Sequence, residues 1–177
     1  MTTRVNQVYK PNCARCHFYL HPDDPRIRNY KVKEHAFMIP LAESFPDMIL
    51  DKPIAGGCSL RRPDGLFDCG THSVVVEIDE DQHVGYDQSC KNRRTIELFT
   101  DLGSRPLVLV RLNPDGYTHG SYRARSCFGR ANKSQELKIL NRSDFEHRLS
   151  VLLDTVKSRI AAIPDREIEE VQLFYSG

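Results

Sequence analysis

The chain has 177 residues, 40% hydrophobic and 28% charged, a soluble globular composition that suits one ordinary domain with room for a short appendage. With 25 Lys and Arg against 24 Asp and Glu, the net charge of +1 gives no bulk attraction to a polyanion. No apolar run approaches the ~18 residues that would cross a bilayer, and the opening Met-Thr-Thr-Arg-Val-Asn-Gln lacks the apolar stretch of a secretory signal, so an intracellular protein of unassigned compartment is expected.

Residues 1–30, rich in Pro, Asn and Asp, read as a loop-rich N-terminal arm. The arm carries Cys13-Ala-Arg-Cys16-His17, with His21 close behind. A Cys-x-x-Cys pair has the reach of a zinc knuckle, with thiolates about 2.3 Å from the metal and two further ligands closing a tetrahedron. His21 is a better third ligand than His17, because adjacent Cys16 and His17 crowd one metal; the fourth stays open among His35, Cys58 and Cys69. The bland alternative is a pair of reduced thiols in a loop, since a chain with no secretory signal is not expected to form disulfides. Cys90 and Cys127 read as packing residues.

From Tyr30 to Phe45, the apolar residues Val32, Phe37, Met38, Leu41 and Phe45 suit an amphipathic helix that Pro40 should kink or shorten. Residues 47–57 read as irregular chain or a short strand. Residues 60–69 and 73–79 are two strand candidates around Gly70-Thr-His72, a hairpin whose His72 is expected at the surface. Asp87 should cap a helix running to about Leu102, with Gly103 as its left-handed stop. Residues 106–112 are too continuously apolar for a half-exposed strand and belong in the centre of a sheet. Asn113-Pro-Asp-Gly116 is a strong turn, and residues 116–134 read as a long functional loop or mobile segment. Ser143-Asp-Phe-Glu146 has the form of a capping box, opening a helix with the stripe Phe145, Leu149, Leu152, Leu153, Val156 and Ile160.

The chemistry concentrates at the second strand, Ser73-Val-Val-Val-Glu-Ile-Asp79, and the Glu-Asp-Gln-His83 that follows. Strand alternation turns Glu77 and Asp79 the same way, roughly 7 Å apart, with Val74, Val76 and Ile78 on the other side. Like charges this close are costly unless a cation sits between them. Asp64, in Arg62-Pro-Asp64, would add a third acid to an oxygen-rich pocket suited to magnesium. The acids cluster from Asp64 to Asp87 between basic wings, Arg4 to Lys33 before and Arg123 to Arg142 after. Such wings could hold phosphates while the centre holds cations, or be plain solvated surface.

Helix, hairpin, strand with paired acids, helix and apolar strand, in this order and with these residues, resembles the restriction-endonuclease-like superfamily over roughly residues 31–117. Its motif is Pro-Asp on one strand and acid-any-Lys on the next; Asp64 fits the first and Glu77 the second, while Asp79 stands at the lysine position. Glu-Ile-Asp-x-x-Gln-His, then Tyr-Asp, a basic helix and Val-x-Val-Arg-x-Asn, is similar to the very-short-patch-repair (Vsr-like) branch, the EDxHD group. The resemblance implies an α/β fold with a mixed central sheet flanked by helices, here a domain over residues 31–177 closed by a C-terminal helix and preceded by the arm at 1–30. It assigns Asp64, Glu77 and Asp79 to Mg2+ or Mn2+, His83 to proton transfer, Asp87 to support of the histidine, and a helix glutamate, Glu34 or alternatively Glu43, to the same site. His83, Lys91, Arg93 or Arg94 would replace the absent lysine.

The expected activity is hydrolysis of DNA phosphodiester bonds by nicking or double-strand cleavage, with RNA left open, by a monomer or homodimer with no membrane partner. Lys91, Arg93, Arg94, Arg123, Arg125 and Arg130 are the candidate phosphate contacts, and Tyr117 and Tyr122 would stack on bases or pack. Arg111 orients an active-site acid or makes a strand-end ion pair, and His119 is a weak candidate. The rivals are a nuclease fold that binds nucleic acid without cutting it and a zinc-stabilised adaptor. Retention of the acids argues against a pure binder, which gains nothing from negative charge facing a phosphate.

Overall fold

The computed structural model describes residues 11, 17, 20, 21, 23–83, 88–130 and 136–177, without the side chains of residues 27, 28, 81, 83 and 88–91. Helix α1 (Val32–Ser44) leads into a meander of β1 (Ile49–Leu50), β2 (Gly65–Asp68) and β3 (Ser73–Ile78). Helix α2 (Gln88–Asp101) then crosses to β4 (Leu107–Leu112). Two small hairpins follow, β5 (Tyr117–His119) with β6 (Tyr122–Ala124) and β7 (Phe128–Arg130) with β8 (Leu137–Ile139). Helix α3 (Arg142–Ala161) precedes β9 (Ile168–Leu173). The main sheet is mixed and five-stranded in the order β1-β2-β3-β4-β9, antiparallel from β1 to β3 and parallel from β3 to β9.

Every residue of β3 and of β4 is buried, as a continuous apolar run in a parallel pair requires. One face of the sheet, with Val74, Val76, Ile78, Val108, Val110 and Leu112, packs on Phe37, Met38 and Leu41 of α1 and on Phe145, Leu152 and Val156 of α3. The other, with Leu66, Val75, Leu107 and Leu109, packs on Leu98 and Leu102 at the C-terminal end of α2. That apolar layer gives way toward the C-terminal ends of β3 and β4, where Glu77 and Arg111 follow Val75 and Leu109 in the alternation and pair in register.

Local chemistry explains the elements and several departures from expectation. The helix around Pro40 runs unbroken from Val32 to Ser44, and Ser44 Oγ donates to the Pro40 carbonyl at 2.9 Å. The first long strand is confined to Gly65–Asp68, and Leu60, the expected start of a strand, has a left-handed φ of 58° that no extended run adopts. Gly65 sits where a Cβ would meet Met38 Cε at 2.7 Å, so its lack of a side chain lets α1 lie close against β2. The β2–β3 turn uses Gly70 at φ 76°, and Gly103 after α2 takes φ 79° as expected of a helix stop. His72 is a correction: it is buried, and its Nε2 pairs with the Arg159 carbonyl at 2.8 Å. Residues 116–134 are another, since three of the short hairpin strands lie within them, each too brief to show a period in sequence.

The cap of α3 is Asn141, whose Oδ1 accepts from Asp144 N at 3.2 Å, two residues before the expected Ser143. Within that helix Arg148 is fully buried. It donates to the carbonyls of Asn113 at 2.9 Å, Asp115 at 2.8 Å and Arg125 at 3.0 Å, and pairs with Asp144 at 2.9 Å. Tyr117 and Phe174 rings lie 5.4 and 5.2 Å from its guanidinium carbon. No helix among the described residues is long and apolar enough to cross a membrane. Arg148→Met should lower stability by about 3 kcal/mol, because three carbonyls and Asp144 lose a buried donor. Urea unfolding checks this, and an unchanged midpoint would show that the guanidinium is not the anchor of this corner.

Candidate active site

Asp64 lies immediately before β2 and Glu77 near the end of β3; the register Gly65 to Val76 sets them side by side, on the face covered by α2. Asp64 Oδ2 accepts the Ile78 N–H at 2.8 Å, which pins the carboxylate to the strand carrying Glu77. Glu77 is buried and takes Arg94 Nη2 on its Oε1 at 2.6 Å. Glu34, in the first turn of α1, lies close enough to Asp64 for its charge to act there, and Lys31 Nζ donates to it at 2.7 Å. Glu43, the alternative helix glutamate, is exposed near the far end of α1.

Two of these carboxyls, Asp64 and Glu77, are raised above their ordinary values. Burial, then the charges of Glu77 and Glu34, push Asp64 from 3.8 up to about 8, against the Ile78 hydrogen bond and Lys31. Glu77 is likewise raised, by burial first, with Arg94 opposing. Burial disfavours the charged form of both groups, and the acids beside Asp64 add to it, so both carboxyls hold their protons to higher pH.

Asp79 does not share this arrangement. Its Oδ2 accepts both Arg111 Nε and the Tyr175 hydroxyl at 2.5 Å, so its charge is spent in a buried cluster at the ends of β3, β4 and β9. Of the three acids expected to face a metal, Asp64 and Glu77 lie side by side with Glu34 near Asp64, while Asp79, whose charge still acts on Glu77, is held by Arg111 and Tyr175. Tyr175, which sequence reasoning passed over, enters because β9 returns parallel to β4 and delivers the residues after it to this corner. Among the described residues, no group of three or more His, Cys, Asp or Glu side chains is set to hold a metal ion.

The backbone around the acids is strained. Lys31, Asp51 and Gln82 take left-handed φ values of 56°, 39° and 52°, each costing on the order of 1 kcal/mol for a residue with a side chain. Lys31 ties Asp51 to Glu34 through its ammonium, at 3.3 and 2.7 Å, and Arg62 Nε donates to Asp51 at 3.2 Å. Gln82 belongs to the short 3-10 turn Glu80–His83.

The remaining expected residues separate as follows. His83 ends that turn, and its side chain, like that of Lys91, lies outside the described residues, as does the whole of Asp87. Arg93 is not beside the acids: it is exposed and donates to Glu97 at 2.9 Å. Arg94 is committed to Glu77 and the Arg62 carbonyl rather than to a surface phosphate contact. Arg123, Arg125 and Arg130 are exposed on or next to the small hairpins, as is His119. Tyr117 and Tyr122 meet edge to face at 6.3 Å, with Tyr122 largely exposed.

In the arm, Cys13 and Cys16 lie outside the described residues. The rings of His17 and His21 are 4.7 Å apart, and His17 Nε2 pairs with Asp24 at 2.8 Å. His35 and Cys58 are exposed and Cys69 half-buried, whereas Cys127 is buried with its thiol 3.5 Å from the Pro114 carbonyl.

Comparison of the chain with protein-family models, with curated proteins and with solved structures gives no match. Asp64 offers a direct check on the charge in the pocket. Unfolded, it loses its proton near 3.8; folded, near 8. Between those values the unfolded state binds fewer protons, so this residue's contribution to stability is full below about pH 4 and is lost as pH rises toward 8. Asp64→Asn, which keeps an acceptor for Ile78, should remove that loss and raise Tm at pH 8 relative to wild type by several degrees, at about 2–4 °C per kcal/mol. Parallel wild-type and variant profiles from pH 4 to 9 would rule out the raised carboxyl.

Proposed function

We propose that this chain is a metal-dependent endonuclease that hydrolyses phosphodiester bonds of DNA, built on a restriction-endonuclease-like core. One observation carries the reading: the β2–β3 register sets Asp64 beside Glu77, with Glu34 of α1 near enough to act on it, and burial together with the surplus negative charge of these neighbours drives the Asp64 carboxyl up to about 8. A divalent cation relieves that surplus as a proton does. Magnesium takes one or two carboxylates and completes its shell with water and substrate phosphate, so Asp64 and Glu77 fit it, with Glu34 close by. The succession α1, hairpin, acid-bearing β3, α2 and apolar β4 agrees with the order that the resemblance implies.

Bound there, Mg2+ or Mn2+ would polarise a phosphate oxygen and acidify a water. The chain's own groups do the rest. Arg94 fixes the Glu77 carboxylate in one orientation, and the Ile78 N–H does so for Asp64. Lys31 and Arg94 supply the positive charge that a lysine at the Asp79 position would otherwise bring near the pocket. His83, on the turn tied to β3 by the Gln82 N–H to Asp79 carbonyl bond at 3.2 Å, is the group to move the proton.

A second reading, a module that binds nucleic acid without cutting, draws on the internal counter-charges: Arg94 against Glu77 and Arg111 against Asp79 lessen the repulsion that acids would present to a phosphate. Incubation with supercoiled plasmid separates the two. Wild type should nick or linearise it with Mg2+ or Mn2+ and not in EDTA, and Asp64→Asn and Glu77→Gln should each slow cutting by about 10²-fold or more, the scale of removing one electrostatic stabiliser. Cutting that survives both substitutions refutes the site, and binding without cutting by wild type favours the second reading.

A further inference from the structure

Arginine in this chain is largely held by carboxylates. Arg61, Arg93, Arg94, Arg105, Arg111 and Arg159 each have a carboxylate oxygen within 2.9 Å. Arg123 and Arg125 break the pattern: both are exposed, and neither has an ion-pair partner among the described residues. They stand two residues apart along β6 and its continuation and line one cavity of about 380 Å³, together with Gln82, Thr118, Ser126 and Ser176.

The walls of that cavity are tied to one another. Gln82 Nε2 donates to the Gly116 carbonyl at 3.1 Å, while its Oε1 accepts the Ser176 N–H at 2.6 Å. The Thr118 N–H donates to Ser176 Oγ at 3.0 Å. Asp115, which Ser126 of this cavity touches, is buried, with Lys33 Nζ at 2.8 Å from both its oxygens and Ser126 Oγ at 3.0 Å from one, so its charge is met from within. Two guanidinium groups without carboxylate partners beside hydroxyls and a fixed amide match the tetrahedral oxygens of a phosphate. Gln82 also belongs to the Glu80–His83 turn that follows β3, the strand carrying Glu77.

We infer that this cavity binds a backbone phosphate of the nucleic acid. The identity of the polymer rests on the nuclease reading; the capture of a phosphodiester anion does not.

The test is fluorescence anisotropy of a labelled 20-base-pair DNA duplex in EDTA, titrated from 50 to 200 mM KCl. The expected result is that Arg123→Gln with Arg125→Gln reduces the slope of log K against log salt by about 1 for each arginine, as loss of two phosphate contacts requires. Arg166→Gln, which removes one positive charge before the start of β9, at the opposite end of that strand from Ser176, should leave the slope unchanged rather than lower it by about 1. An unchanged slope in the double variant, an equal drop in the Arg166 variant, or no duplex binding by wild type at 50 mM KCl would each overturn the inference. Loss of slope in the double variant alongside a wild type that never cuts plasmid upholds the phosphate site and rejects the nuclease activity.

Discussion

The central constraint is that β3 and β4 are covered on both faces, yet their C-terminal ends carry charge. A carboxylate there cannot be solvated as at a surface and must find its counter-charge inside the protein. Glu77 finds Arg94 from α2, Asp79 finds Arg111 from the neighbouring strand and Tyr175 from beyond β9, and Asp115 finds Lys33 from α1. Asp64 alone in this group is met chiefly by other acids. The helices and the chain after β9 are thus positioned by electrostatics as well as by apolar packing, and the imbalance left at Asp64 is where a cation has most to gain.

That imbalance distinguishes the two acid clusters chemically. In the Asp79 cluster a buried guanidinium and a phenol converge on a single carboxylate oxygen, an arrangement suited to holding β3, β4 and β9 in fixed relation. In the Asp64 cluster three acids face one ammonium and one guanidinium, with left-handed backbone at Lys31 and Asp51 holding the loops in place. Strain and like-charge repulsion cost stability and are tolerated where the surrounding structure overdetermines the geometry.

Much of the frame was legible in the residues. The unbroken apolar run before Asn113 marks β4 as central, and simple alternation puts Glu77 and Asp79 on one side of β3 and Val74, Val76 and Ile78 on the other. Alternation says where a side chain starts but nothing about what reaches it, so the division between a surplus acid and a satisfied one stayed hidden. Its cause lies in Tyr175, some 96 positions from Asp79 in sequence. Arg148 was hidden for the opposite reason: it occupies an inward position of the α3 stripe, where an apolar residue is the ordinary expectation. The weak alternation of Ile168, Val171 and Leu173 gave no firm sign of a strand, because β9 lies at the sheet edge with one side partly open to solvent.

Arg148 also bears on how the molecule breathes. One guanidinium on α3 gathers carbonyls from residues 113, 115 and 125 and lies against rings on β5 and just past β9. Undocking the helix would therefore free the β5–β6 hairpin and the stretch around Phe174 in the same event. Amide exchange across these three segments should then follow a single opening equilibrium, making this corner one cooperative unit whose integrity is governed from the helix on the opposite face of the sheet from the acids.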